Sequence, residues 1–442
     1  MTPHLEQSPP AVRRVLVFPA GTEIGLEILA SLKDCKEVEL FGAGEAACNH
    51  AQFSYPSYHV VPNIREANWL DALKRLCVEL RIDYIFPAYD DVIVALSAAR
   101  DQIPAQIICP PDWVCDVTRS KAQTYALLKD VVRVPALYAS EAEVVSYPVL
   151  VKPDRGQGSF GISKATTPDE LRKALASLPD PLICEFLPGR EYTVDCFSDR
   201  ERGLLFHGVR SRRRVRNGIS VNTVTEQLPQ AAQWAEAIGS AFQMQGAWFF
   251  QVKCAQDGEL ALLEVAPRIA GAMATHRVMG VNFALLSIFE AERKPLCLLT
   301  NPGRVEMDRA LQNRYRHQID FDHLYLDLDD TLILRGQVNT DLVALVFQCL
   351  NRGCKVSLIT RHAGDLTQTL ARHRLQGLFD EVIHLTVAER KSDHVQGAKA
   401  IFVDDSFCER LDVSKRCGIP TFDASMTEML LKGQHDTTDR RV

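Results

Sequence analysis

The chain has 442 residues, 46% of them hydrophobic and 24% charged, with a formal net charge of -6; this balance argues against a general nucleic-acid surface and confines any basic site to a local patch. The length exceeds what one hydrophobic core supports, so about three domains are expected. Thirteen cysteines without a CxxC pair or a zinc-spaced Cys/His cluster, a polar leader MTPHLEQSPPAVRR and no apolar run of spanning length indicate reduced thiols in a cytoplasmic protein without a membrane partner.

Val15 to Phe18 reads as a buried parallel strand, followed by a turn at Gly21 to Gly25 and an apolar-periodic helix from Ile24 to Leu32. Val38 to Phe41 and Ile82 to Phe86 are further strands with a helix, Trp69 to Leu80, between them, which makes a βαβ sheet. The GTEIG turn lacks the GxGxxG fingerprint, so a plain α/β lobe is read in place of a dinucleotide site. Tyr89, Asp90 and Asp91 sit at a strand's carboxyl end, where ligands bind in such sheets, but a helix N-cap is the preferred reading. Ile107 to Cys109 closes the lobe, and Pro110 and Pro111 mark a linker.

A helix from Thr118 to Leu128 carries Lys121, and from there to about residue 300 the pattern is α+β. Within Tyr147 to Lys164, Val149 to Val151 form a strand core, Lys152 follows, and Pro153 breaks the run before a loop of Gly156, Gly158, Ser159, Phe160 and Gly161. Glycines so spaced let backbone N–H groups approach a phosphate, and the lysine neutralises charge on the same ligand. Taken alone, the stretch also fits a glycine-rich surface hairpin. A Walker loop is excluded, because the lysine precedes the glycines and no GK[ST] follows.

Glu185 and Glu191 flank a Pro-Gly turn between two apolar strands, where acids are costly without a partner, so a ligand is expected for at least one. Asp195 is either a further ligand or a structural acid. Arg210, Arg212, Arg214 and Arg216 alternate in an extended segment and would share one face. Such a face is a solvated edge, an RNA contact or a phosphate and carboxylate clamp, and the clamp is preferred. WFFQVKC and LALLEVAPR read as a hairpin in which Gln251 and Glu264 offer oxygen ligands to Mg2+, with Arg268 within reach of the same phosphates.

In their order, Lys121, VLVKP, GQGSFG, EFLPGREYTVD, FQVK and LLEVAPR resemble the ATP-grasp enzymes, most of all their carbamoyl-phosphate-synthase-like, carboxylate–amine ligase branch. The resemblance covers about residues 14 to 300. It implies that Lys121 and Lys152 bind phosphates, that Glu185 with the Phe186–Leu187 backbone holds adenine, that Glu191 holds ribose, and that Gln251 and Glu264 bind Mg2+. Ala266 stands where this family usually carries an asparagine ligand.

From His323 the sequence HLYLDLDDTLI is an apolar strand ending in acids, with Asp327 and Asp329 spaced to project from one face. A carboxylate nucleophile beside a carboxyl acid/base is what transfer through an aspartyl-phosphate needs. Val356 to Ile359 leads to Thr360, Lys391 follows, and Ile401 to Val403 leads to Asp404 and Asp405. Residues 320 to 425 thereby resemble the haloacid dehalogenase superfamily. The resemblance implies that Asp327 is the nucleophile and Asp329 the acid/base. Thr360 and Lys391 would hold phosphoryl oxygens, and Asp327, Asp329, Asp404 and Asp405 would supply the Mg2+ site. The spacings leave room for little or no cap, and Gly433 to Val442 reads as a disordered tail.

The expected architecture is therefore an α/β and α+β multidomain chain: a Rossmann-like pre-ATP-grasp lobe (14–112), an ATP-grasp domain (113–310) and a parallel α/β phosphatase domain (318–430). The expected activities are ATP-dependent carboxylate–amine ligation through an acyl-phosphate and Mg2+-dependent phosphomonoester hydrolysis, with Mn2+ an allowed substitute. A phosphatase carrying a regulatory nucleotide-binding module is the alternative. Expected partners are a small carboxylate, an amine and a phosphorylated small molecule, with a homodimer allowed and nucleic acid disfavoured.

Overall fold

Alternation of buried side chains along Arg13–Phe18 makes this segment, β1, the middle of a sheet covered on both faces. Val15 and Val17 enter one apolar cluster, Leu16 and Phe18 the other. Around it β2 (Val38–Gly44), β3 (Tyr58–Val60), β4 (Tyr84–Pro87) and β5 (Gln106–Ile107) complete a parallel sheet of order β3-β2-β1-β4-β5. The first crossover helix, Glu23–Leu32, is capped by Thr22, whose Oγ1 accepts from Gly25 N at 3.0 Å. The computed structural model describes residues 12–435 except Ala47, Cys48, Gln157 and Ser159. The chain forms two compact units divided between Leu311 and Gln312.

Two antiparallel sheets complete the first unit. The smaller has order β6-β9-β7-β8 and consists of β6 (Leu137–Tyr138), β7 (Val149–Pro153), β8 (Ser163–Ala165) and β9 (Pro181–Glu185). The larger, of order β14-β13-β10-β11-β12-β15, contains β10 (Glu191–Asp199), β11 (Gly203–Arg216), β12 (Ile219–Glu226), β13 (Gly246–Cys254), β14 (Leu260–Ala266) and β15 (Glu306–Asp308). One face of the larger sheet packs Val194, Cys196, Trp248 and Phe250 against helix Ala231–Phe242. The opposite face carries a polar row in register: Glu264 pairs with Gln251, Gln251 with Thr193, and Thr193 with Arg210. Farther along that face Phe197 and Phe249 join the cluster of Val15 and Val17, so the expected segments 14–112 and 113–310 share one apolar core.

The second unit is built on a parallel sheet. After the short β16 (Tyr315–His317) come β17 (His323–Leu326), a small hairpin of β18 (Ile333–Leu334) and β19 (Gln337–Val338), then β20 (Lys355–Thr360), β21 (Glu381–His384), β22 (Ala400–Val403) and β23 (Thr421–Phe422). The order is β21-β20-β17-β22-β23, with β17 central and apolar clusters on both faces. The hairpin and helix Thr340–Asn351 are what lies between Thr331 and Val356.

Three expectations change. The helix expected over Thr118–Leu128 is two helices, Asp112–Arg119 and Lys121–Leu128, because Ser120 takes an extended conformation and its side chain caps the second at Gln123 N. The N-cap expected at Tyr89, Asp90 and Asp91 is Tyr89 without a side-chain bond, since the carboxylate of Asp90 goes to Arg268. Gly433–His435, expected within a disordered tail, is β24, paired in parallel with β16; backbone hydrogen bonds there need no apolar side chains. The remainder of that expected tail lies outside the described residues. Among these, no helix is long and apolar enough to cross a membrane.

The chain's first strand is fastened to a much later helix end by Glu292, which accepts from Arg13 Nε at 2.5 Å and Nη2 at 2.9 Å and from Tyr84 at 3.2 Å, and pairs with Lys294 at 2.7 Å. Burial opposes its charge, but Arg13 and Lys294 outweigh that and hold its pKa at about 2. A depressed carboxylate pKa stabilises the fold above the unfolded value of about 4.3 and loses that contribution as pH falls. Glu292→Gln is therefore expected to cost about 2 kcal/mol at neutral pH, after allowance for partial exposure. Urea unfolding should show the difference from wild type vanishing between about pH 5 and pH 2; a difference independent of pH would contradict this account.

Candidate functional site

In the first unit, Lys152 ends β7 at 4% exposure, with Nζ donating to the Tyr125 hydroxyl at 2.8 Å. That hydroxyl is itself committed to the Leu263 carbonyl at 2.7 Å, so the ammonium has a neutral partner only. Burial pushes the Lys152 pKa down. Lys121, in the first turn of its helix, donates to the Gly156 carbonyl at 2.9 Å, and burial, with Lys152 and Arg119 nearby, lowers its pKa against the pull of Glu264. Lys152, buried, and Lys121, half-buried, have no carboxylate among their hydrogen-bond partners in the described residues, an arrangement that suits an anionic ligand.

These lysines line a cavity of about 460 Å³ together with Gly156, Gly158, Phe160, Glu185, Phe186, Leu187, Glu191, Arg212, Gln251 and Glu264. Gly158 has φ +63° and Gly161 φ +72°, as a chain turning sharply over a ligand requires. The loop meets the β11–β12 turn at Gly218, where a Cβ would fall 2.2 Å from the Gly158 backbone. Glu185 and Glu191 are half-buried and already paired: Glu185 with Arg133 at 3.1 Å and Ala136 N at 3.2 Å, Glu191 with Arg212 at 2.7 Å. Ser159 lies outside the described residues. Gly161 sits against Leu178 and Pro153, and does not line the cavity.

The expected face of four arginines does not form. Arg210 and Arg212 share a face, but β11 bulges between Arg212 and Arg214, and an extra residue flips the alternation. Arg214 pairs with Asp308 at 2.8 Å on the surface, and Arg216 is exposed. Arg210, 2% exposed, is held by Asp195 at 2.8 and 3.1 Å, yet among the described residues its Nη1 has no hydrogen-bond partner, nor has the fully buried Thr193 Oγ1 beside it. Arg268 does not line that cavity but an adjoining cleft that shares Lys121, Gly156 and Glu264 with it, and is fixed to Asp90 at 2.5 and 3.0 Å and stacked over Phe249. Ala266 is buried in the apolar cluster and offers no ligand atom.

Sequence reasoning missed several of these participants. Lys253 lines the cavity two residues beyond Gln251 on the same strand face. Gly218 belongs to an Asn-Gly hairpin turn, with φ +51° at Asn217 and +74° at Gly218, a signal the sequence carried. Asp90 was placed at the carboxyl end of a parallel strand, where the N-cap was preferred over a ligand role.

In the second unit, Asp327 follows central β17 where the chain departs to β20 on one side and β22 on the other, the crevice position of open parallel sheets. Oxygens of Asp327, Asp404 and Asp405 lie within 4.8 Å of one another, and an all-carboxylate set suits a hard divalent cation. Lys391 Nζ donates to Asp327 at 2.5 Å and Asp404 at 2.7 Å. Burial, aided by Asp404 and opposed by Lys391, pushes Asp327 up to about 6. Asp329 is not one of these three carboxylates; half exposed, it pairs with His362 Nδ1 at 3.0 Å, and the chain turns at Asp330 with φ +55°. Thr360 ends β20, its Oγ1 accepting from His362 N at 3.2 Å. His362, also missed, lies two residues past a strand end.

Comparison with known proteins agrees with the first unit. The family described as "ATP-grasp in the biosynthetic pathway with Ter operon" matches residues 177–312. Biotin carboxylase of Campylobacter jejuni in a β,γ-ATP complex is similar at TM-score 0.56 and 16% identity, over 66% of this chain and 74% of that one. An L-amino acid ligase from Bacillus licheniformis gives TM-score 0.52 and 17% identity over 65% and 76%. N5-carboxyaminoimidazole synthetase of Staphylococcus aureus with ADP gives TM-score 0.56 and 13% identity over 66% and 80%. A search of curated proteins gives no match. The chain thus contains an ATP-grasp fold.

The unpartnered Thr193 hydroxyl gives a test without any ligand. An orphaned buried hydroxyl costs about 1 kcal/mol, so Thr193→Val is expected to raise stability by that order in urea unfolding. A loss of stability would mean that the hydroxyl is bonded in the folded protein.

Proposed function

We propose that the chain is a bifunctional enzyme, an ADP-forming carboxylate–amine ligase (14–112 and 113–310) joined to a Mg2+-dependent phosphatase of haloacid dehalogenase type (318–430). The observation that carries the ligase reading is the meeting of Lys121, Lys152 and the glycine loop with Gln251 and Glu264 around one cavity, next to two buried polar atoms that lack partners. In this reading Lys121 and Lys152 bind the ATP phosphates, Glu185 with Phe186 and Leu187 the adenine, and Glu191 the ribose. Gln251 and Glu264 hold Mg2+, which offsets phosphate charge. Arg210 and Arg212 serve the substrate side, and Arg268 acts through its hold on Asp90. A carboxylate oxygen attacks the terminal phosphorus, ADP leaves, and an amine then displaces phosphate from the acyl carbon.

For the second unit, support comes from the convergence of Asp327, Asp404, Asp405 and Lys391 at the sheet's crevice. Asp327 attacks the phosphorus of a small phosphomonoester and Asp329 protonates the leaving oxygen; water then cleaves the aspartyl-phosphate. Thr360 and Lys391 hold phosphoryl oxygens, and the three aspartates would hold Mg2+, which would offset the charge that develops on those oxygens. Ala266 favours a second reading, in which the ATP-grasp part binds nucleotide for regulation and the phosphatase alone turns over.

An ADP-release screen against pooled amino acids, small carboxylates and amines, with mass spectrometry of the products, decides between the two. Under the ligase reading, Lys152→Ala and Glu264→Gln each cut acceptor-dependent ADP formation by about 10² or more. Undiminished ADP formation in Lys152→Ala would refute the nucleotide site. Asp327→Asn is expected to abolish hydrolysis of a generic aryl phosphate while ADP formation persists; retained hydrolysis would remove Asp327 from the nucleophile's role.

A further inference from the structure

Successive same-face residues of β11 line different cavities. Arg212 lines the cavity of the two lysines, Arg210 comes next, and Gly208 lines a second cavity of about 890 Å³ on which Thr225, Glu226, His276 and Asn301 also border. Two residues of strand span about 7 Å, so the second cavity adjoins the row of Gln251, Thr193 and Arg210. His276 is 5% exposed, and its Nδ1 lies 2.9 Å from Asp195 Oδ2. Asp195 is fully buried. Burial opposes its charge, but Arg210 and His276 hold its pKa below the usual carboxylate range. A carboxylate there accepts the Nδ1 proton, which selects the tautomer whose lone pair is on Nε2. Among the described residues Nε2 has no hydrogen-bond partner, and a Cβ at position 208 would fall 2.5 Å from it. The glycine keeps that nitrogen clear.

We propose that the second cavity receives the amine substrate and that His276 Nε2 is the catalytic base that takes its proton. The proposal rests on the ligase reading above. As the nitrogen lone pair forms the new bond to the acyl carbon, the C–O bond to phosphate breaks and phosphate leaves with that electron pair. Two protons leave the nitrogen: Nε2 takes the first from the incoming ammonium, which frees the lone pair, and passes it to solvent, and then takes the second as the amide forms. Glu226 supplies negative charge for the incoming ammonium, and the unpartnered Arg210 Nη1 is a donor for the carbonyl oxygen as it gains charge.

Hydroxylamine separates the steps, because it is largely unprotonated at neutral pH and intercepts an acyl-phosphate without needing a base. The full chain, ATP, Mg2+ and a pool of amino acids and small carboxylates are assayed twice, once for hydroxamates with hydroxylamine and once for amides formed with pooled amino acids. In His276→Asn and His276→Gln the ratio of amide to hydroxamate is expected to fall by about 10². An unchanged ratio, whether both products persist or both decline together, overturns the role of His276 while the ligase reading stands. No hydroxamate from wild type removes the ligase reading itself. Should the His276 variants not fold, Gly208→Ala, which crowds Nε2, is expected to lower the same ratio, and an unchanged ratio there also overturns the proposal.

Discussion

A lysine ammonium buried at the end of an apolar strand, with a phenol as its hydrogen-bond partner, sets the terms for the first unit. Burial disfavours such a charge, an anion would offset that cost, and the surroundings suit one. The glycine loop brings main chain where side chains would obstruct, and Lys121 braces that loop from below. The larger sheet contributes a polar row whose members are neighbours across four strands, so that Glu264, Gln251, Thr193 and Arg210 are placed by backbone register. The second unit satisfies the same constraint with the opposite sign. There the buried excess is carboxylate, and Lys391 offsets part of it between Asp327 and Asp404.

Much of this was legible in the sequence because it is local. Strand cores, the lysine before the glycines and the acids after β17 all announce themselves within a few residues. Non-local facts were hidden. Alternation placed four arginines on one face, and it failed at a bulge whose cause lies in the pairing of β11 with β12. Asp90 looked like a helix cap because its partner, Arg268, is 178 positions away. Period-two spacing placed Asp329 on the face of Asp327, but its pairing with His362, 33 positions away, had no local signal.

His276 was invisible for a different reason. A lone histidine in an apolar helix start has no motif, and its meaning comes from a buried aspartate 81 positions earlier and a glycine that leaves room for the ring. Glycine loops are read as phosphate cradles by habit. Gly208, in the middle of a long strand, had no such pattern to mark it, and strand glycines mark close approach as well as bulges.

The paired irregularities of β11 and β12 carry a further consequence. Between Arg212 and Arg214 the surplus residue is on β11; between Arg214 and Val215 it is on β12, so the two offsets cancel before the Asn217–Gly218 turn. A strand without such a break transmits any one-residue slip along its whole length and exchanges its faces. Here the break isolates the hairpin tip from the row below it. The tip can lengthen, shorten or swap residues in evolution while Arg210 and Arg212 keep their phase, which leaves the mouth of the cavity free to vary independently of its floor.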